Sequence, residues 1–485
     1  MRARDRNPSP GYTYMNLRTS IRACPITKYV SIAILVVIVA SLFDSVALAS
    51  ETRELVIRPG LSDPRAIFCV IVFLLSYLLV MTEEKTQLRK SKPVMLGAGI
   101  IWAVIAYAAP EYGVTHEQLE QGIAHDLDEY GSLFLFLFAA MTYIAAFERG
   151  NVFAVLRAWL VGKGLSYRAL FWVTGIIAFF LSAIADNLTT ALVMGAVILA
   201  LGAESPRFVA IGMVNVVSAA NSGGAFSPFG DITTLMVWQS GRVEFFEFFV
   251  LFLPSVATFL VPAIIMSFFV PAGAPSPLTE QVKMVRGARR AIALGILTIA
   301  MAVSFEQILG LPPFMGMMTG LSFLMFLSYY MRITRREGEP EYDVFKSVQS
   351  VEWDTLLFFF GVMFSVGGLA FIGYLELASI VLYGDLGASG ANIMLGAVSA
   401  IIDNIPVMFS ILSMGPEMSH FQWLLVTLTC GVGGTLLSVG SAAGVATDGR
   451  RGLVVRQPRF DQPADAVVQR SVADGLDRQE VIDPL

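Results

Sequence analysis

Apolar runs of near-spanning length, separated by short polar connections, recur along most of the chain. A helix needs about 20 predominantly apolar residues to cross a hydrocarbon core of roughly 30 Å. The pattern predicts spans over 66–81, 94–110, 131–147, 247–270, 291–308, 313–331 and 354–372. Two segments depart from it. Between Arg168 and Glu204 the only charge in 35 residues is Asp186. One helix of that length would extend ~52 Å, too long for the bilayer, and two full spans would be too short. A re-entrant hairpin over 169–203 fits, with Asp186 at its tip near mid-membrane. The same reasoning gives a second hairpin over 386–416, where Asp403 is the only charge in 31 residues. Irregular backbone at such depth persists only when it is buried in protein or lines a wet cavity.

The two hairpins share sequence. Ser182-Ala183-Ile184-Ala185-Asp186-Asn187-Leu188 matches Ser399-Ala400-Ile401-Ile402-Asp403-Asn404-Ile405, 217 residues further on. A glycine-interrupted apolar stretch follows each hairpin and predicts a broken helix, over 207–241 and 421–446. Gly223, Gly224 and Gly230 recur as Gly433, Gly434 and Gly440, at an offset of 210. The segment before the first hairpin, 149–168, is basic and amphipathic, whereas its counterpart 373–388 has no Lys or Arg and carries Glu376 and Asp385. One hairpin therefore enters from each face. The expected fold is an all-α polytopic membrane protein of two inverted repeats, each with a re-entrant hairpin and a broken helix, an architecture recurrent among secondary transporters.

Composition agrees, with 55% hydrophobic and 15% charged residues, against about 25% charged in soluble domains. Basic clusters at 85–92, 149–168, 283–290 and 332–346 all fall on one side of the threaded spans, the cytoplasmic side by the positive-inside rule. The acidic segment 111–130 falls on the other, as an outer connection. Residues 1–50 are basic, then apolar, and end in Ala47-Leu48-Ala49, which fits a signal peptide or a first span. The expected order is then N-terminal spans over 51–130, a first repeat over 131–241, scaffold spans and loops over 242–353, and a second repeat over 354–446. Cys24, Cys69 and Cys430 form no disulfide framework or metal-ligand spacing. His116, His125 and His420 are expected in polar connections. No P-loop, dinucleotide fingerprint or nucleic-acid-binding patch occurs, and no cofactor is called for.

Ionisable groups at membrane depth are costly, by about 2.5–3.5 kcal/mol on insertion scales, and mark function. Desolvation favours the proton-bound form of a carboxylate, and a bound cation favours the charged form. A site holding Asp186 and Asp403 therefore takes protons or a hard cation in competition, which is sufficient for antiport. Neutral oxygens suited to sodium surround them: Ser182, Asn187, Thr189, Ser399, Asn404, Ser438 and Ser441. Asn221 and Asp231 flank the first glycine break, with Thr233 and Thr234 beyond. Asp231 has no acidic counterpart in the second repeat, where Ser441 is aligned. It is read both as a group that tunes selectivity and as the cap of the half-helix that follows. Asp354 is read as a helix-start carboxylate or as a group for proton access from the cytoplasm.

Four motifs in order, Ile-Ala-Asp-Asn-Leu-Thr-Thr (184–190), Asn-Ser-Gly-Gly-Ala-Phe-Ser-Pro-Phe-Gly-Asp-Ile-Thr-Thr (221–234), Ile-Asp-Asn-Ile-Pro (402–406) and Gly-Gly-Thr-Leu-Leu-Ser-Val-Gly-Ser-Ala-Ala-Gly (433–444), give the chain a family likeness. It resembles the NhaD-type sodium/proton antiporters of the ion transporter superfamily, which also holds arsenite permeases and dicarboxylate carriers. The resemblance covers roughly 65–446. It implies exchange of sodium or lithium for protons across a bacterial inner membrane, an elevator-like or related alternating-access motion, and a homodimer in the lipid bilayer. It carries function to Asp186, Asn187, Thr189, Asn221, Asp231, Thr233, Thr234, Asp354, Ser399, Asp403, Asn404, Ser438 and Ser441, with Asp186 and Asp403 as the sodium ligands. Residues 447–485, with six arginines and no lysine, depart from the family pattern, which calls for the rest of the broken helix and a further span. That tail reads as a frameshift or a soluble extension, and a chain so altered is expected to be impaired. The alternatives are an arsenite or organic-anion permease of the same superfamily, which paired tip carboxylates disfavour, and an intramembrane aspartyl protease. The protease reading lacks the first glycine of Gly-x-Gly-Asp before Asp231.

Overall fold

The computed structural model describes residues 63–202, 205–275, 282–335, 343–400 and 402–434. The leader or first span at 1–50, Ser438, Ser441 and the tail 447–485 lie outside the described residues. Everything regular among the described residues is helical. The elements are α1 (Pro64–Met81), α2 (Ser91–Ala108), α3 (His116–Arg149), α4 (Val152–Val161), α5 (Tyr167–Ala185), α6 (Asn187–Leu201), α7 (Pro206–Gly224) and α8 (Ile232–Gln239). They continue with α9 (Phe252–Ser267), α10 (Ala288–Leu309), α11 (Pro313–Ile333), α12 (Val344–Gln349), α13 (Trp353–Phe371), α14 (Tyr374–Ser399), α15 (Asn404–Met414) and α16 (His420–Gly433).

Eight helices among the described residues are long and apolar enough to cross a membrane, so the chain is a polytopic membrane protein. Seven stand where the apolar runs placed them. The eighth is α5, read from sequence as a hairpin arm; at 19 residues it is by itself long enough to span. Helix α6, after the break, has only 15 residues.

The segment 111–130 is not a connection. From His116 onward it forms the first half of α3, a helix of 34 residues, about 51 Å long at 1.5 Å per residue. The cause is local. Thr115 and Gln118 form a reciprocal capping box that starts the helix well ahead of its apolar run. The residues that follow include Glu117, Gln118, Leu119, Glu120, Gln121, Ala124 and Leu127, all good helix formers. His116 and His125 consequently lie on the exposed face of α3, facing Glu120 and Glu129 one turn on at 3.3 and 3.6 Å.

The helices pack as a frame and two clusters. In the frame, α2 lies between α1 and α13, and α3 packs on α10, α11, α12 and α13. The first cluster contains α5, α6, α7 and α9, and the second contains α14, α15 and α16. They join where α8 meets α15 and α16 and where α16 meets α7. Large apolar side chains such as Leu253 and Phe268 at α9, Ile308 on α10 and Phe326 on α11 point outward, as expected of surfaces facing lipid.

Backbone contact sets the depth of the crossing points. A Cβ on Gly223 of α7 would fall on the Phe179 carbonyl of α5, and one on Gly433 of α16 would fall on the Gly396 carbonyl of α14. Gly223→Ala is expected to force α5 and α7 apart, costing about 1–3 kcal/mol by overpacking, read as a fall in the thermal midpoint of the detergent-solubilised protein. Gly99→Ala on α2, where a Cβ meets nothing within 4 Å, should leave the midpoint unchanged or slightly higher.

Candidate functional site

Each cluster contains two helices separated at an aspartate. Asp186 separates α5 from α6 with φ 57° and ψ 160°, a backbone conformation seldom adopted by residues other than glycine. Such strain costs of order 1–3 kcal/mol and concentrates at functional sites. The break is sealed by capping: Asp186 accepts the Thr189 amide and the Thr189 hydroxyl, both at 2.8 Å. In the second cluster α14 ends at Ser399 and α15 starts at Asn404, with Asp403 between them. The corresponding third residue of α15 is Pro406, which has neither N–H nor hydroxyl, and α15 has no side-chain cap.

The segments aligned by sequence make matching bonds. Ser182 donates to the Ala220 carbonyl at 2.6 Å, and its counterpart Ser399 donates to the Cys430 carbonyl at 3.0 Å. The offsets of these partners are the 217 and 210 residues of the sequence repeat, as they are for the two glycine crossings.

The tips converge on Asp231, which is 3% exposed. The Asn187 amide donates to Asp231 Oδ2 at 3.1 Å and to Asn221 Oδ1 at 3.1 Å. From the other cluster the Asn404 amide donates to the same Asp231 Oδ2 at 3.0 Å. Asp231 also caps α8: its Oδ1 accepts the Thr233 amide at 3.3 Å, and Thr234 Oγ1 accepts the Asp231 N–H. The capping reading of this residue is thus what the helix start shows. Thr234 further donates to the Ser227 and Asp231 carbonyls. Thr190 Oγ1, Ser222 Oγ, Thr233 Oγ1 and Asp403 Oδ1 are buried without a hydrogen-bond partner, an unusual set of orphaned oxygens for a protein interior. Beside them Gly431 leaves open the space a side chain would take, 3.5 Å from Asp231 Oδ2 and 3.7 Å from Thr233 Oγ1 at the Cβ position.

A cavity of about 610 Å³ reaches this point. Asp186, Asn187, Thr189, Asp231 and Asn404 line it, together with the charged side chains Lys90, Glu148, Arg157 and Glu352. Of the residues expected from sequence, Asp186, Asn187, Thr189, Asn221, Asp231, Thr233, Thr234 and Asn404 gather here. Ser399 holds α14 to α16 rather than facing the cavity. Asp186 and Asp403 share no hydrogen bond or ion pair among the described contacts, and the groups that meet are the asparagines that follow them. Asp354 lies in the first turn of α13 and accepts a hydrogen bond from Ser91 at the start of α2. Sequence reasoning missed Lys90, counted there only as one of a topogenic cluster, and Glu352 and Thr355 on the cavity wall. The one available signal was Pro406, which leaves Asp403 uncapped.

The model of a citrate transporter family matches residues 64–431. The chain is 52% identical over 402 residues to the Na(+)/H(+) antiporter NhaD of Vibrio cholerae, covering 78% of this chain and 84% of that protein. The chain belongs to the NhaD family. It is also 50% identical over 431 residues to the NhaD of Halomonas elongata, covering 84% of this chain and 86% of that protein. Sodium/proton antiporter 1 of Arabidopsis thaliana is 31% identical over 389 residues, covering 78% of this chain and 66% of the plant protein. In this NhaD-family chain, Asn404→Ala is expected to lower stability by about 1–3 kcal/mol, since it removes one donor from a buried carboxylate. The check is denaturant or thermal unfolding in detergent, with Ser389→Ala at the rim of α14 as a near-neutral control.

Proposed function

We propose that the chain exchanges sodium or lithium for protons across the inner membrane, at a site formed by Asp231, Asp186 and the tip asparagines. The observation that carries this reading is a buried carboxylate clasped by amides from two separate helix breaks on the wall of a cavity. Hard cations take oxygen ligands, and the site offers carboxylates, amide oxygens and orphaned hydroxyls. A proton and a sodium ion compete for the same oxygens, because burial favours the neutral acid and a bound cation the anion. That exclusion is the coupling. The paired serine bonds and glycine crossings support the inverted-repeat reading, with α5–α6 and α14–α15 as the two hairpins and α7–α8 as a broken helix. Asp403 belongs to the second tip. Glu352 on the cavity wall and Asp354 beside it supply proton access from the basic, cytoplasmic side. The names of the NhaD relatives agree. A citrate-type substrate is disfavoured because the carboxylates Glu148, Asp186, Asp231 and Glu352 outnumber the cations Lys90 and Arg157 along the cavity.

Everted vesicles carrying the protein should dissipate an imposed pH gradient on addition of sodium. Asp231→Asn and Asp186→Asn should each lower that exchange by about 100-fold, the loss expected for removing a buried charge from a cation site, while the protein remains inserted. Full exchange in both variants, or uptake of citrate without sodium-dependent proton movement, overturns the assignment. Acidification should raise the KM for sodium with little change in the rate at saturating sodium, the signature of competition at one site. A maximal rate that collapses at unchanged KM would mean separate proton and sodium sites.

A further inference from the structure

The two tip acids hold the same place in the repeat and differ in their surroundings. Asp186 is saturated locally by the Thr189 amide and hydroxyl. Asp403 has Pro406 where Asp186 has Thr189, its helix carries no side-chain cap, and its Oδ1 is buried without a hydrogen-bond partner. Besides the amides that open its own helix, a charged group from outside the cluster faces its other oxygen. Lys90, the residue before α2 in the frame, places Nζ 4.0 Å from Asp403 Oδ2. The same ammonium lies 4.5 Å from the centroid of the buried Phe358 ring on α13.

This inward course is unlike that of the neighbouring basic residues. Arg89 and Lys92 are exposed, whereas the Lys90 side chain is 19% exposed and borders the cavity. A lysine at a membrane border ordinarily extends its head toward water. Here the head turns to the tip carboxylate whose helix has no side-chain cap. The gap of 4.0 Å is the outer limit of an ion pair, without the close hydrogen bonds that make buried pairs hard to break. Such an ammonium is a primary cation on a flexible stem, able to withdraw into the cavity.

We propose that Lys90 is a tethered counter-ion of the site: its ammonium neutralises Asp403 while no ion is bound, and an entering sodium ion displaces it. The carboxylate is then never bare, and sodium binds only when it outcompetes a cation already attached to the protein. Lys90 thereby lowers the affinity of the cavity-open state for sodium. It is a positioning residue, acting through Asp403, and the inference rests on the reading of Asp403 as a site acid.

The test is equilibrium binding of radioactive sodium to the purified full-length protein at alkaline pH, where protons compete least. Lys90→Gln should tighten sodium binding by about tenfold, from the loss of a nearby like charge. Lys90→Met, which keeps an apolar stem on Phe358, should do the same, and Lys90→Arg should retain weak binding. In an Asp403→Asn background Lys90→Gln should change affinity by no more than about twofold, the limit of additivity for uncoupled changes. A dissociation constant that stays near the wild-type value in both Lys90→Gln and Lys90→Met overturns the proposal. So does equal tightening with and without Asp403. Wild-type sodium binding in Asp231→Asn would instead sink the site itself, which separates the two failures.

Discussion

A single oxygen, Oδ2 of Asp231, accepts amide hydrogens from Asn187 and Asn404 and so ties three distant stretches of chain at one point. A carboxylate offers about four lone-pair positions. The two asparagines take those of Oδ2, and the Thr233 amide takes one on Oδ1. Hydrogen bonds to charged groups contribute about 1.5–3 kcal/mol each, enough to hold two helix breaks in register. The rest of the fold meets the demands of this junction. The breaks have to fall at Asp186 and Asp403 so that the next residue points inward, and the helices behind them have to approach at backbone distance, which glycine at 223 and 433 permits.

The sequence-related segments around that junction share their spacing and differ in their chemistry. Asn221 of the first repeat corresponds to Gly431 of the second, Thr189 to Pro406, and Asp231 to Ser441. Each replacement takes a side-chain function away from the second repeat. Space opens beside Asp231 where Gly431 stands, and Asp403 has a charged neighbour beyond its own helix in Lys90. The two sequence-related segments therefore bring unlike side chains to the junction at Asp231.

Much of this was legible in the sequence. Seven apolar runs became seven helices, because a run of spanning length with no charge has few other fates. The breaks at Asp186 and after Gly224 also stood where a lone acid and paired glycines put them. The boundaries that failed were set by local capping. Thr115 and Gln118 carry α3 through a polar segment that hydropathy assigned to a connection. The residues of the site were readable in the sequence, and the hydrogen bonds that join them were not. The repeat drew attention to the two aspartates it duplicates, and the unduplicated Asp231 proved to be the point where both halves meet. Lys90 was beyond reach of pattern reasoning, since a basic residue at a helix start has a sufficient topological explanation.

The clasp also gives the protein a vulnerability to ageing. Loss of ammonia from Asn187 or Asn404 would turn a donor into a further anion against Asp231, converting cohesion into repulsion. That reaction needs the next backbone nitrogen to attack the side-chain carbonyl. Both asparagines open a helix, and the residues after them are Leu188 and Ile405, bulky neighbours on a backbone held away from the cyclic geometry. The fold that aims these amides at one oxygen thus also shields them from slow hydrolysis.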